Sequence, residues 1–498
     1  MRWRSDPETP QRAAPSRRQF FMMGALGSGL IVGFEFWPRV ERPNIALGVG
    51  ETQFGGYIKL STDGHIVVIV PQVEFGQAAT TILPQIVADE LVADWRSIGV
   101  EIAPVSAFYA STTFAASMGW QTMFGAPLAL QITDEGAMLA GYAQPLRDAA
   151  AYLRIALVKA AARLWGVAPE SCTTLEGFVH SGAKRTRFAD LVGAIVLANP
   201  WDQTTAPPQR SDQESHLLGR SLPRLDAPAK IDGSANYAAD IRLPDMVFAC
   251  VRSAPFGSGD VAGFDGAAAR RIPGAVDIFP LAEGLVCIGR TSWVAGQMAN
   301  AAAPRFHAAL PLPDSKSLQS RLDSALKSAG TTIINNGDNA GIKGNPGALD
   351  ARYHVDLLLQ PPLETGVATA HYIKGQLELW AASPAPDMAL NAVARATGVS
   401  HDNIILHSVF GGGGFEQKLD PLVMTVAAQA ALRLKRPVHV FRSRGEENSQ
   451  SLNAGGAVSR MTGQALPDGR IIGWQAHIAA PPGAEVLRAR ITDNRAPR

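Results

Sequence analysis

Residues 403–442, NIILHSVFGGGGFEQKLDPLVMTVAAQAALRLKRPVHVFR, constrain this chain more than any other stretch. Ile404-Ile405-Leu406 and Val409-Phe410 read as a short apolar strand, and Gly411 to Gly414 follow at once. Asp420 precedes Pro421, the N-cap and N1-proline signature of a helix start. Leu422, Val426, Ala430 and Leu434 recur on one helical face, and Pro437 to Phe441 reads as a second strand. The order is strand, glycine loop, helix, strand. Glycines permit positive φ and let backbone N–H groups come close to a ligand. A helix starting just beyond adds its positive end, so such a loop is a natural anion site. Two common phosphate motifs fail here. The dinucleotide fingerprint counted from Gly411 needs glycine where Glu416 stands, and a phosphate loop needs Lys-Ser or Lys-Thr where Phe415-Glu416 stands.

With 498 residues the chain is too long for one ordinary core. A hydrophobic fraction of 46% against 18% charged residues marks it as folded rather than disordered. Net charge is +1, but six arginines fall in the first 40 residues against three acids, which leaves the body at −2. A body without positive excess has no nucleic-acid footprint. Cys172, Cys250 and Cys287 form no C-x-x-C pair. A cluster or zinc site within the chain is therefore not expected, and the three read as ordinary buried thiols.

Ser16-Arg17-Arg18-Gln19-Phe20-Phe21 leads into an apolar run to Phe34, too short to span a bilayer comfortably and of the length of a signal-peptide core. Export is the expectation for residues 1–44, as a signal or as an anchor, and the membrane would be met only there. Tyr57–Ser61 and His65–Val70 read as a hairpin turned at Asp63-Gly64, running into Gly76-Gln77 and a helix through Ile82, Ile86 and Trp95. Gly141 to Val167 reads as a long helix with a stripe of Leu146, Ala150, Leu153, Leu157 and Leu164, and Arg147, Arg154, Lys159 and Arg163 on solvated faces. Asn199 to Pro223 is polar and proline-bearing, as a linker would be. Strands are expected at 246–252, 284–288 and 353–359, with a helix at 292–303 and a short one through Leu318, Leu322 and Leu326. Hairpins are expected at Lys374-Gly375 and Asp468-Gly469, with a helix between Ala385 and Gly398. Glu364, after a proline pair, reads as a surface carboxylate, and His371 and His401 lack partners at metal-ligand spacing. The class is α+β.

Six short segments, in one order, resemble the large molybdenum-binding subunit of the xanthine oxidase family, and the resemblance covers nearly all of residues 50–480. They are Ser16–Phe21, Val73-Glu-Phe-Gly-Gln-Ala78, Arg224-Leu-Asp-Ala-Pro-Ala-Lys-Ile-Asp-Gly233, Pro362-Leu-Glu-Thr365, Gly412-Gly-Gly-Phe415, and Arg436-Pro437 through Arg444-Gly-Glu-Glu447. The branch most like it holds the isoquinoline 1-oxidoreductase beta subunit and exported aldehyde dehydrogenases. The resemblance implies a multi-domain molybdenum-hydroxylase architecture. Residues 45–198 would be an N-terminal cofactor-binding segment, 199–223 a linker and 224–305 an a/b hammerhead domain. A connecting arm at 306–348, the first part of a cofactor-binding domain at 349–486 and a tail at 487–498 would follow.

It also implies a molybdopterin cofactor in its cytosine dinucleotide form, held in loops at Gly76, Gln77, Gly412, Gly413, Gly414 and Phe415. Backbone amides and the Gln77 amide would orient it, and no side chain would ligate the metal. The implied reaction oxidises an aldehyde or N-heterocycle with oxygen from water. Electrons would leave through a small iron–sulfur subunit, and onward to a cytochrome c subunit, in the periplasm or on the periplasmic face of the inner membrane. Two loop positions depart from the family, which keeps glycine where Ala78 and Glu416 stand. The family's active-site glutamate, in a Gly-x-Gly-Glu segment, has no counterpart in these residues. No catalytic residue is therefore assigned, and the chain is expected to be a C-terminally truncated subunit, inactive alone. A non-catalytic relic or assembly partner is the alternative, and nucleotide binding at Gly411–Gly414 the weaker one.

Overall fold

Asp63 takes the N–H of His65 on its carboxylate at 3.0 Å, and Gly64 turns the chain at φ +104°, which a Cβ would oppose. The hairpin predicted there forms from strands Ile58–Ser61 and Ile66–Val70, with Ile58 opposite Val68. The computed structural model describes residues 43–120, 129–134, 136–195, 207–254, 259–282, 284–307, 314–338, 341–342, 345–450, 455–481, 483 and 487–488. The arginine pair and apolar run at 16–34 lie outside the described residues.

Two further strands, not anticipated from sequence, complete this first sheet. Glu51–Phe54 pairs antiparallel with 58–61, and Ile98–Ile102 runs parallel to 66–70. A parallel neighbour needs a crossover, and helix Ala79–Leu91 supplies it. The core between sheet and helices holds Ile58, Leu60, Ile66, Val68, Leu83, Leu91, Leu146 and Leu157. The long helix runs Ala137–Trp165, four residues earlier than expected, from Gly136 to Gly166, both in the left-handed region. Leu146, Ala150, Leu153 and Leu157 are buried as predicted, whereas Leu164 at the last turn is exposed.

Arg147 and Arg154 correct the expectation of a solvated face. Both reach the fully buried carboxylate of Glu90, Arg147 Nε at 3.2 Å and Arg154 Nη2 at 2.9 Å. A carboxylate buried that deeply persists only with such partners. The neighbouring Asp89 accepts the N–H groups of His216 at 2.9 Å and Leu217 at 2.7 Å, which lays residues 215–218 of the proline-bearing stretch along the helix.

Seven strands make the second sheet, in the order Ala275–Leu281, Gly284–Gly289, Val247–Arg252, Val438–Phe441, Val367–Ile373, Gln376–Ala381, Ile404–Ser408. Residues expected to form a separate 224–305 unit thus share one sheet with strands from 367–441, joined where 438–441 runs parallel to 247–252. Strand 275–281 was not anticipated. Alternation decides what each face covers. Val247, Ala249 and Val251 point toward helix Leu422–Leu434, and Cys250 toward helix Ser292–Ala302. Helix 422–434 starts one residue later than Pro421 suggested, and Asp420 accepts the Leu422 N–H at 3.1 Å. Helix Pro386–Thr397 ends at Gly398, φ +72°, as its glycine foretold.

A three-stranded sheet joins Leu349–Val355, Ala457–Ala465 and Ile471–Ala479, with helix Ser315–Lys327 against it. The strand expected over 353–359 is shifted toward the N-terminus, and Leu357–Leu359 lie exposed beyond its ladder. The chain mixes helices and strands and most pairings are antiparallel, so the α+β expectation holds.

Glu90→Ala leaves two guanidinium groups facing an apolar interface with no counter-charge. The expected cost is about 3 kcal/mol, read as a lower urea midpoint at unchanged m-value; an unchanged midpoint contradicts the assignment.

Candidate functional site

Glu74 ends the run that leaves strand 66–70 and is completely buried. One carboxylate oxygen accepts the N–H of Gly76 at 2.8 Å and of Ala78 at 3.0 Å. The other accepts the Thr80 N–H at 3.1 Å and hydroxyl at 3.0 Å, in the first turn of helix 79–91. An anion at a helix N-terminus meets both free donors and the positive dipole end. Arg224 Nη2 reaches the same carboxylate at 3.2 Å. Arg224 also grips Asp226 through Nε at 2.8 Å and Nη2 at 2.7 Å, and Lys230 Nζ adds a third contact to Asp226 at 2.5 Å. The Arg224 guanidinium, helped by Lys230, holds the Asp226 carboxyl down to about 2, well below the usual carboxylate range.

Gln77 closes its own loop. Its side-chain oxygen accepts the Phe75 N–H at 2.7 Å, and its side-chain nitrogen donates to the Val73 carbonyl at 2.7 Å. The amide expected to orient a cofactor is committed to the backbone around it. Gly76, at φ +112°, makes the turn.

The glycine loop meets this loop directly. Gly411 donates to the Glu74 carbonyl at 2.9 Å. A Cβ on Gly411 would lie 2.3 Å from the Phe75 ring, and one on Gly412 2.5 Å from Cβ of Glu364. These two glycines therefore serve close packing between loops. Glu364 corrects the surface reading. Its side chain is only 10% exposed, and it accepts the Gly412 N–H at 3.0 Å and the Ala239 N–H at 3.0 Å besides pairing with Lys418. Burial pushes the Lys418 ammonium below the usual lysine range, against the pull of Glu364. Arg444 fixes the turn ahead of Glu364 by donating to the Pro362 and Leu363 carbonyls at 2.6 and 2.9 Å. The buried Glu447 accepts the Gly366 N–H at 2.9 Å.

Beside the two loops opens a cavity of about 410 Å³ lined by Gln72, Phe75, Gln77, Asp134, Gly414, Phe415 and Glu416, among others. Gly136 and Ala137, the N-terminus of the long helix, also line it. Among the described residues, the N–H groups of Gly413, Gly414 and Phe415 make no hydrogen bond, and Gly414 and Phe415 line the cavity together with a helix N-terminus, a combination suited to an anion. The Glu416 and Asp134 carboxylates line the same space and oppose it. All six cofactor-loop residues singled out in sequence, Gly76, Gln77, Gly412, Gly413, Gly414 and Phe415, thus fall in two loops packed together, more than 330 positions apart.

The two departures from glycine carry a backbone signature. Ala78 has φ +66° and Glu416 φ +59°, both in the region that costs an L-residue roughly 1 kcal/mol or more. The loops keep the path of glycine without glycine. Sequence reasoning missed Glu74, Arg224, Asp226, Lys230 and Lys418 as a network. The signal was there, since four of the five lie inside the segments that carried the family resemblance.

The geometry defines an α+β protein with two loops packed together beside a cavity, and the comparisons say what that protein is similar to. A molybdopterin cofactor-binding domain matches residues 327–496. The isoquinoline 1-oxidoreductase subunit beta of Brevundimonas diminuta is 26% identical over 489 residues, covering 89% of this chain and 61% of that one. A membrane-bound aldehyde dehydrogenase (pyrroloquinoline-quinone) of Gluconacetobacter polyoxogenes is 26% identical over 478 residues, covering 90% and 58%. Quinoline 2-oxidoreductase from Pseudomonas putida 86 has a TM-score of 0.40 at 20% identity, over 52% of this chain and 38% of that one. The chain is similar to these molybdenum-hydroxylase large subunits over most of its length, and the molybdopterin cofactor-binding match falls in its last third. The chain spans about three fifths of the length of these two curated relatives.

Ala78→Gly and Glu416→Gly each remove a left-handed non-glycine residue and are expected to stabilise the protein by roughly 1 kcal/mol. Equilibrium unfolding checks this, and a loss of stability in either would show that its side chain makes good the strain. Asp226 sets an acid limit. Its folded pKa lies below the ordinary value of 3.8, so its contribution is full above pH 3.8 and is lost as pH falls toward 2. Unfolding free energies measured between pH 5 and pH 2 should lose part of their slope in Asp226→Asn.

Proposed function

We propose that the chain is the large subunit of an exported molybdenum hydroxylase that oxidises an aldehyde or an N-heterocycle with oxygen taken from water. The observation that carries this reading is the position of the glycine loop. It lies inside the stretch that matches a molybdopterin cofactor-binding domain, borders the cavity through Gly414 and Phe415, and carries three N–H groups with no hydrogen bond among the described residues. The residues fit a cofactor with anionic groups: Gly413, Gly414 and Phe415 would bind it through backbone N–H, with the N-terminus of helix 137–165 opposite. When bound, molybdopterin supplies the metal centre for two-electron oxidation. Gln77 acts one step back, by holding Phe75 and Val73 so that the Gly76 turn keeps its shape. Phe75 packs on Gly411 and walls off one side of the loop.

The cytosine dinucleotide form of the cofactor belongs to this proposal, as do a small iron–sulfur subunit, a cytochrome c subunit and a periplasmic location. The names of the relatives support the substrate class and a multi-subunit assembly, one being a beta subunit acting on isoquinoline and another an aldehyde dehydrogenase. The cysteines support an electron exit in a partner. Cys250 and Cys287 face each other across paired strands and Cys172 lies in another core, so the three are not gathered as a cluster needs.

Purified after co-expression with an iron–sulfur subunit, the protein is expected to carry molybdenum and pterin in equal amounts. It should reduce a dye when given an aldehyde or N-heterocycle. Glu416→Gly is expected to raise molybdenum per folded protein by removing a carboxylate from the cavity. Metal-free, pterin-free protein under these conditions would favour the relic instead.

A further inference from the structure

Among the described residues, one face of the sheet formed by 349–355, 457–465 and 471–479 exposes a group of large apolar side chains. Register places Leu349 beside Gly463 and Trp474, and Tyr353 beside Ser459 and Ile478. Val355 continues the row opposite Ala457. Because side chains alternate, all of these point the same way. Leu349, Tyr353, Val355, Trp474 and Ile478 are between 49% and 79% exposed. The other face has partners of its own. Arg352 pairs with Asp323 on helix 315–327, Thr462 bonds to Asp350 at 3.0 Å, and Val458 is fully buried. One face packs in part on a helix, while its reverse exposes large apolar side chains on both outer strands, with small residues such as Ser459 and Gly463 between them on the middle strand.

Single exposed apolar residues need no explanation, but a continuous face of them marks a surface made to be covered. The chain beyond Val355 extends the feature through exposed Leu357–Leu359 to Leu363, next to the Glu364 that holds the glycine loop. The whole sheet lies within residues 327–496, the molybdopterin cofactor-binding match. The curated relatives carry more polypeptide than the matched stretch, which reaches 61% and 58% of them. A cofactor-binding domain with large apolar side chains exposed on one sheet face needs a cover from the same assembly, and the relatives hold polypeptide to provide it.

We propose that this face is the docking surface for the polypeptide corresponding to the part of those relatives outside the match, brought as further sequence or as a separate chain. The cover offers an apolar face of its own and, through Leu363, reaches the edge of the glycine loop. The proposal rests on likeness to those relatives and not on the reaction, so missing molybdenum would count against the hydroxylase reading and leave this one standing.

The test supplies the unmatched part of the Brevundimonas diminuta beta subunit as a tagged polypeptide, co-expressed with the 498-residue chain. A one-to-one complex is expected by light scattering after size exclusion, with slowed amide exchange at 349–355 and 471–479. Trp474→Lys and Tyr353→Lys should each weaken it about tenfold or more, with the unfolding midpoint of the free chain unchanged because both side chains are exposed. Leu175→Lys, an exposed site on the separate 173–187 sheet, should have no effect. Absence of a complex, or one indifferent to Trp474→Lys, overturns the proposal. So does a homodimer lost in Trp474→Lys, which would make a second copy the cover. Trp474 fluorescence that a soluble quencher cannot reach in the chain alone would assign the role to its own residues and overturn the proposal equally.

Discussion

The buried carboxylate of Glu74 is the interaction on which the site depends. It holds the Gly76 turn, starts helix 79–91 and anchors Arg224, while its own backbone carbonyl receives Gly411. Three segments far apart in sequence meet at this one residue. Its cost of burial is met locally, since Glu74 and Asp226 face Arg224 and Lys230 in equal number. In a medium of low dielectric such a network is stabilising when every member is satisfied and expensive when one is not. The geometry of the first loop is thus fixed before any ligand arrives.

The second loop is built the same way from the other side. Glu364 takes Gly412 and Ala239 on its two oxygens and carries Lys418 as counter-ion. Two glutamates bracket the glycines, Glu74 at Gly411 through its backbone carbonyl and Glu364 at Gly412 through its carboxylate. The tight approach at Gly411 and Gly412 is the reason for those two glycines, which leaves Gly413 and Gly414 as the part of the run open to a ligand. The constraint also explains how Ala78 and Glu416 keep left-handed backbone. Glu74 fixes Ala78 through its N–H, and the Gln417 N–H bonded to Gly414 at 3.0 Å closes the turn around Glu416. A network of charged hydrogen bonds outweighs about 1 kcal/mol of local strain at each.

What could be read from sequence was what short-range physics decides. Hairpins at Asp63-Gly64, Lys374-Gly375 and Asp468-Gly469, and helices ended by Gly166 and Gly398, follow from turn chemistry and periodicity within a few residues. Strands 98–102 and 275–281 were missed because their place is set by partners elsewhere, and neither alternates strongly. Arg147, Arg154 and Glu364 were misread for a related reason. A charged residue shows its burial only through its partner, and Glu90 and Lys418 are 57 and 54 positions away. The family resemblance located the loops. It could not say that Gln77 is spent on its own backbone, because spelling records which residues are kept and not what they touch.

Whether Glu416 disables the loop is a question of magnitude. A helix N-terminus carries roughly half a positive charge, and three free N–H groups add directed donors, whereas Glu416 brings a full negative charge. Position decides between them. Glu416 is exposed, and two unit charges 4 Å apart in water interact by only about 1 kcal/mol, further reduced by salt. The donors of Gly413 and Gly414 belong to half-buried residues, where each charge-assisted hydrogen bond contributes about 1.5–3 kcal/mol. Two or three such bonds exceed the repulsion from one screened carboxylate. On the proposed function, the loop would therefore still take an anionic group with Glu416 in place, its carboxylate weakening binding rather than abolishing it.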